Sequence, residues 1–375
     1  MTTQLFKEKP FQESALWDTM MEKNACTSFT LELTARCNNN CRHCYINLPA
    51  GDTTARMQEL SVGQIMDIAD QAVRMGAIWC TITGGEPLIR PDFAEIYIGL
   101  KKKGLLVSVM TNATLVTGEL VKLFLRYPPR DIEITVYGVT RETYEAVSRR
   151  AGSFNAFMRG LDLLLDAGIK IRLKAIAIRS NLHEIQKIAE FSQLRTKDYY
   201  RFDPQIILRI DHDPVRNNEI RNERLTPDEI VALEQSDADR TKALEKNCDK
   251  LIMSKLSLAE SNHLFQCGAG KEVFNVSPDG MFRLCMSLCH PDCVYDLKTG
   301  SLADAWQNFI PKVRDMQSNQ KDFLSNCQVC PIINLCLWCP GHAYLETGRL
   351  DEMVDYFCRV AHARAKALGY TKGTG

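Results

Sequence analysis

A partial (β/α)6 barrel of the TIM type followed by a small cysteine-rich domain is the architecture this α/β sequence predicts, and three features predict it. Between about residues 29 and 211, apolar β-branched runs alternate with amphipathic helical stretches, the pattern of a parallel sheet built from βα units. Six such runs are fewer than the eight of a closed barrel, so the sheet curves but stays open and leaves a gap for a substrate. From Cys267 onward the pattern changes and cysteines dominate.

The runs are Phe29 to Thr34, Ala77 to Thr83, Leu105 to Thr111, Asp131 to Tyr137, Ile169 to Ile178 and Gln205 to Asp211. The first helix between them is Ser61 to Met75, where Val62, Ile65, Met66, Ile68, Ala69, Ala72 and Val73 share one face and Gly76 supplies a stop. Asn181-Leu182-His183-Glu184 and Thr226-Pro227-Asp228-Glu229 both read as capping boxes. These signals divide the chain into an extension (1–28), the barrel (29–224), a bridging helical segment (225–262), the cysteine-rich domain (263–362) and a flexible tail (363–375).

Composition excludes several classes of function. The 46 basic residues balance the 46 acidic ones, so no field draws the chain to nucleic acid or to an anionic membrane. Neither a signal-peptide core nor a membrane-length apolar run is present, which predicts a cytoplasmic protein. Cellular reductants keep thiols reduced there, so 15 cysteines in clustered spacings read as metal ligands and not as disulfides.

Cys37, Cys41 and Cys44 directly follow the first run in a Cys-x3-Cys-x2-Cys spacing. Three thiolates leave a four-iron cluster one ligand short, and an unprotected iron can chelate a small molecule. This spacing resembles the signature of radical S-adenosylmethionine enzymes. The resemblance implies a [4Fe-4S] cluster with an open iron that binds S-adenosylmethionine and, when reduced, splits it into methionine and a 5′-deoxyadenosyl radical that removes a substrate hydrogen. Further motifs follow other strand ends, where parallel sheets bind ligands. Gly84-Gly85-Glu86-Pro87 is similar to the segment that meets the methionine amino group, its glycines permitting positive φ and close approach. Thr111-Asn112-Ala113-Thr114 is similar to a family turn but lacks its glycine. Thr135 stands where relatives present a hydroxyl to the ribose, and Lys174, in preference to Arg172, where they present a cation to the methionine carboxylate. Each also reads as a solvent-facing polar residue of a half-buried strand. His43, beside Cys44, is expected to pack near the adenine. No catalytic acid or base is assigned, and His183, His212, His290 and His342 read as ordinary surface histidines.

The C-terminal pattern is Cys267-x12-Gly280-x4-Cys285, then Cys327-x2-Cys330-x5-Cys336-x2-Cys339, then Cys358. It resembles the SPASM domain, which holds two auxiliary [4Fe-4S] clusters, although the last gap of the central group is one residue short. Carried over by position, Cys327, Cys330, Cys336 and Cys358 would complete one cluster, and Cys267, Cys285 and Cys339 would hold the other. Its fourth ligand would be Cys289 or Cys293, or the iron would stay open for a substrate thiolate. Paired Cys-x2-Cys knuckles also suit zinc, so a zinc-stabilised interaction module is the non-enzymatic alternative. Cys26, Cys80 and Cys248 fit no spacing and read as structural thiols.

Within the SPASM group the resemblance implies, first, modification of a ribosomally made peptide by thioether or other cross-link formation. Cofactor or tetrapyrrole biosynthesis comes second. Sulfatase maturation ranks low, because Met286 stands after Cys285 where such relatives place a carboxylate base. About 28 residues before the first strand are too few for a leader-binding domain. The expected partners are therefore the peptide, a separate leader-binding carrier and a flavodoxin- or ferredoxin-type electron donor.

Overall fold

The computed structural model describes residues 25–196, 200–251, 262–336 and 338–370. Most of the 1–28 extension, part of the bridging segment and the end of the tail lie outside the described residues, as does the side chain of Cys248.

The strands in chain order are β1 (Ser28–Glu32), the short β2 (Arg36–Cys37) and β3 (Leu48–Pro49), β4 (Trp79–Thr83), β5 (Leu106–Thr111), β6 (Asp131–Thr135), β7 (Ile171–Ile176), β8 (Arg201–Asp203), β9 (Val273–Val276), β10 (Met281–Arg283) and β11 (Val294–Asp296). Nine of them form one sheet in the order β11-β10-β9-β1-β4-β5-β6-β7-β8, and β2 pairs with β3 apart from it. From β9 through β8 every pairing is parallel, and only β10 and β11 run antiparallel. This is a mostly parallel α/β sheet of partial-barrel type.

The first five expected runs are strands, each trimmed by one or two residues at one or both ends, and the first begins one residue earlier, at Ser28. The sixth is a correction. The strand is Arg201–Asp203, and Gln205 to Asp211 runs on outside the ladder. Ile206 and Leu208 are buried in a side cluster with Val147, Ile178, Ile220 and Leu345, against which Ile210 packs, so alternation here marks burial without strand pairing.

Alternation gives the sheet two unlike faces. One carries Phe29, Leu31, Cys80, Ile82, Val107, Val109, Ile132, Ile134, Leu173 and Ala175, all buried in the main core. The other carries Glu32, Thr83, Ser108, Glu133, Thr135 and Lys174, with Trp79, Leu106, Met110 and Ile176 interspersed, and is the more polar of the two.

Helices cover the apolar face. Helix Val62–Arg74 begins with a complete Ser61–Gln64 capping box and ends before Gly76 at φ 106°. The Thr226 capping box also forms. The Asn181 one does not, because Asn181 sits inside a 3-10 turn, where its side chain donates to the Tyr137 and Ile176 carbonyls and accepts from Ile178 N–H. Glu184 accepts instead from Val139 N–H at 2.7 Å and from the Thr140 and Thr143 hydroxyls, tying the end of β6 to that turn.

Candidate active site

The chain leaves β1 into a loop that carries all three early cysteines, and neighbouring elements hold it from several sides. Asn40 and Arg42 N–H donate to the carbonyls of Ser148 and Val147 at 2.8 and 3.1 Å. Arg150 donates to Asn38 O at 3.1 Å, Arg216 to Cys41 O at 3.0 Å, and Arg209 to Asn47 Oδ1 at 2.9 Å. Ile210 N–H donates to Tyr45 O at 3.1 Å. Ahead of the loop, Arg36 pairs with buried Glu59 through Nε at 2.7 Å and Nη2 at 3.1 Å.

The two motif glycines are explained by this loop. A Cβ on Gly84 would lie 2.3 Å from Thr34 O, and one on Gly85 2.3 Å from Arg36 O. Gly84 alone takes the positive φ, 133°. Their bare backbone lets Gly85 N–H reach Thr34 O at 2.6 Å and Glu86 N–H reach Arg36 O at 2.9 Å. Close approach is thus to the chain entering the cysteine loop. Pro87 opens a short 3-10 turn.

Glu86 is fully buried, and its oxygens accept from Thr111 Oγ1 and Asn112 N–H at 2.8 Å each and from Leu88 N–H at 3.1 Å. Burial raises its carboxyl to about 7 despite these bonds. Asn112 Nδ2 donates to Asn38 Oδ1 at 2.9 Å and to Cys37 Sγ at 3.8 Å. The β4 and β5 motifs are therefore brought together beside Cys37. Where the family turn has glycine, Ala113 takes φ 61°.

Thr135 and Lys174 face each other across the β6–β7 register on the polar side of the sheet. The Lys174 ammonium is paired with Glu133, so an incoming carboxylate would share it. Arg172 is half exposed and lies 3.9 Å from Asp131.

Sequence reasoning missed Tyr137, Arg209 and Arg216. The Tyr137 hydroxyl bonds the Cys41 thiol, and its ring packs on His43 with centroids 5.6 Å apart. His43 is buried, and burial together with the Arg216 charge lowers it to about 4, which makes it a neutral packing residue. Burial pushes Cys41 up to about 12 and raises Cys37 strongly, the latter helped by the nearby Glu86 charge. Cys44 is raised by burial and opposed by backbone N–H groups, Arg209 and Arg216. The metal-free thiols are neutral, and loading metal would release their protons.

The donor set fits an iron-sulfur group. Three thiols, Cys37 and Cys41 buried and Cys44 partly so, lie near enough to shift one another, with N–H donors from Asn39 and Asn112 on Cys37. Asn39 also keeps a buried amide without a hydrogen-bond partner among the described residues.

In the C-terminal region a cavity of about 290 Å³ is lined by Cys327, Cys330, Cys336 and Cys358 against the apolar walls of Ile332, Trp338 and Val354. Burial, then the neighbouring thiols, raise Cys327 to about 11 and Cys336 to about 12. Cys285 is raised to about 11 by burial and then by Cys339 and Cys267, so these three are also neighbours. Cys339 caps helix Pro340–Thr347, its sulfur accepting from His342 N–H at 3.3 Å. Of the two further candidates, Cys293 is fully buried against Met316 Sδ at 3.8 Å, whereas Cys289 is partly exposed and lies near Arg283 and Cys285. Among the described residues no three Cys, His, Asp or Glu side chains close on one point as a single ion would need. Cys26 and Cys80 are buried core thiols.

The model of the Radical SAM superfamily matches residues 31–192. The chain carries a radical SAM domain. Members of this family bind a [4Fe-4S] cluster and S-adenosylmethionine, and the matched segment contains all three cysteines of the loop. The chain is 33% identical over 162 residues to the antilisterial bacteriocin subtilosin biosynthesis protein AlbA of Bacillus subtilis, a match covering 43% of this chain and 35% of AlbA. It is 24% identical over 359 residues to the AdoMet-dependent heme synthase of Methanosarcina barkeri, covering 89% of this chain and 96% of that protein. The crystal structure of Streptococcus suis SuiB bound to S-adenosylmethionine superposes with a TM-score of 0.65 at 13% identity, over 96% of this chain and 83% of SuiB, and shares the fold.

Proposed function

We propose that this protein reductively cleaves S-adenosylmethionine and uses the resulting radical to take hydrogen from a ribosomally made peptide that then forms a thioether or other cross-link. The observation that carries the reading is the loop with three neighbouring thiols, two buried and one partly so, braced by the Gly84–Pro87 and Asn112 turns at the ends of the next two parallel strands. In this reading Cys37, Cys41 and Cys44 hold a [4Fe-4S] cluster that, when bound and reduced, supplies one electron to the sulfonium.

The remaining residues bind, orient and exclude water. Glu86 locks the two strand ends, leaving the backbone of Gly84 and Gly85 and the polar face at Thr135 and Lys174 to receive the nucleoside and amino-acid ends of S-adenosylmethionine. Cys327, Cys330, Cys336 and Cys358 would hold one auxiliary [4Fe-4S] cluster. Cys267, Cys285 and Cys339 would hold the other, with Cys289 as the fourth thiol because Cys293 is walled into the core. Residues 29–224 then act as the radical barrel and 263–362 as the auxiliary domain.

The peptide reading is supported by AlbA, a bacteriocin biosynthesis protein, and by the structure of SuiB bound to its precursor peptide SuiA. The match covers only about a third of AlbA, so the substrate is proposed on its chemistry. Among the described residues no helix is long and apolar enough to cross a membrane. A cytoplasmic site of action, a flavodoxin- or ferredoxin-type donor and a separate leader-binding carrier complete the proposal. A second reading, tetrapyrrole chemistry, is favoured by the likeness to heme synthase over 96% of that protein.

The test is anaerobic reconstitution with S-adenosylmethionine and reductant, with and without the peptide encoded beside the gene. Release of 5′-deoxyadenosine with a mass change in the peptide is expected. Release without any change in the peptide, but with conversion of a porphyrin propionate, would transfer the assignment to the second reading.

A further inference from the structure

One group of buried residues on the polar face is used by none of these roles. Asn275 of β9 stands opposite Thr30 of β1, and Arg283 of β10 stands opposite Asn275. Glu32, two residues beyond Thr30, shares their face. Phe29, Phe274 and Phe282 fill the other face in a stack with centroids 5.5 and 5.1 Å apart, so the polar side chains cannot retreat that way.

Glu32, Asn275 and Arg283 are 2%, 2% and 7% exposed. Both amide atoms of Asn275, Nε and Nη1 of Arg283 and Oε2 of Glu32 are nevertheless buried without a hydrogen-bond partner among the described residues. Folded proteins rarely leave so many buried polar atoms unmet in one place unless something else meets them.

The position of the group points to that partner. Glu32 Oε1 accepts from Tyr45 Oη at 3.4 Å, and Tyr45 directly follows Cys44. Arg283 lies two residues before Cys285, and its charge reaches Cys289. The group therefore spans the interval between the radical-forming loop and the first C-terminal set of thiols. Burial raises the Glu32 carboxyl to about 7, with Arg283 opposing the rise, so near neutral pH it leaves the guanidinium incompletely balanced.

We propose that Arg283 and Asn275, with Glu32 beside them, form a substrate subsite that grips a carboxylate whose neighbouring N–H is received by Asn275 Oδ1 or Glu32. On the function proposed above, which this inference deepens, that carboxylate is an acidic side chain or the terminal carboxylate of the peptide. A porphyrin propionate offers the carboxylate without the neighbouring N–H, and the arms of the experiment separate the two sources.

The full-length reconstituted protein is melted anaerobically with N-acetylglutamate or N-acetylglutamine at matched ionic strength. Stabilisation of the wild type by the carboxylate alone, absent in Arg283→Gln and in Asn275→Leu and partly restored in Arg283→Lys, is expected. This arm does not depend on turnover, so it judges the subsite even if no 5′-deoxyadenosine is ever released, a result that would overturn the functional reading alone.

In turnover, Arg283→Gln should raise KM by about 10- to 100-fold for whichever substrate is processed, the peptide or a porphyrin bearing propionates. Replacing the gripped carboxylate by an amide or an ester should cost the wild type a similar factor and cost the variant little. Equal stabilisation by the two probes with an unchanged KM would overturn the subsite. So would a weakened Kd for S-adenosylmethionine itself in Arg283→Gln, because the cation would then belong to the cofactor. Iron content per chain checks that the variants are loaded alike.

Discussion

The cysteine loop after β1 and the cysteines after residue 267 hold the same ligand type in opposite ways. The loop is set by bonds that do not involve metal: strand-end turns, the carbonyls of the Arg141–Ser148 helix and three arginines fix its backbone. Among the C-terminal thiols, Cys267 is exposed, and Cys327, Cys330, Cys336 and Cys358 surround open space beside short helical turns. The first site is preorganised for a labile ligand that comes and goes. At the second, on the function proposed, metal would act as part of the core, filling space that apolar packing does not.

This contrast breaks if the two sites respond alike to loss of their thiols. Cys41→Ala should bring 5′-deoxyadenosine release to background while amide exchange across residues 37–47 changes little. Cys327→Ala combined with Cys358→Ala should remove about four of about twelve irons per chain and collapse exchange protection across 323–367, read by mass spectrometry. Equal loss of protection in both variants would mean that the loop, too, is built by its metal.

Smaller effects sharpen the comparison. Gly85→Ala should cost about 1–3 kcal/mol in denaturant unfolding, since its methyl would press on Arg36 O, and it should lower iron in the radical site alone. Arg209→Met removes donors to Asn47 and the partner of Asp211 and should cost about 1–3 kcal/mol, with a weaker grip on S-adenosylmethionine. The smallest effect is a pH slope. Glu32 is raised from 4.5 to about 7, first by burial, so the folded state keeps a proton that the unfolded state has lost. Its contribution is present below pH 4.5 and is lost as pH rises toward 7. The Glu32→Gln melting temperature should lack that part of the slope.

Five strands of the sheet were legible because Phe29, Leu31, Val107, Val109, Ile132 and Ile134 alternate with polar neighbours in runs long enough to read. The sixth was misplaced because Ile206, Leu208 and Ile210 alternate for a different reason, packing into a side cluster while the Ile210 N–H bonds the cysteine loop. Strands β9 to β11 are three or four residues long and lie among cysteines, where no periodicity can develop. The thiols and the glycine motif could be read from spacing. Arg209 and Arg216 could not, since each reaches across more than 160 residues of chain to Asn47 or Cys41, and nothing local marks a residue for so distant a contact. Glu86 was expected to face a ligand, but its three internal bonds make it a tie between strand ends.

Strand β9 pairs with β1 although about 240 residues separate them. During translation Ser28–Glu32 therefore emerges from the ribosome with one flank open and stays so until β9, through Val276, has been made. An unclosed flank invites pairing with other nascent chains. On the function proposed, insertion of iron into the early thiols would be best delayed until the late strand has sealed that seam. Heterologous overproduction of this protein should accordingly gain more from slowed elongation and chaperone supply than from added iron alone.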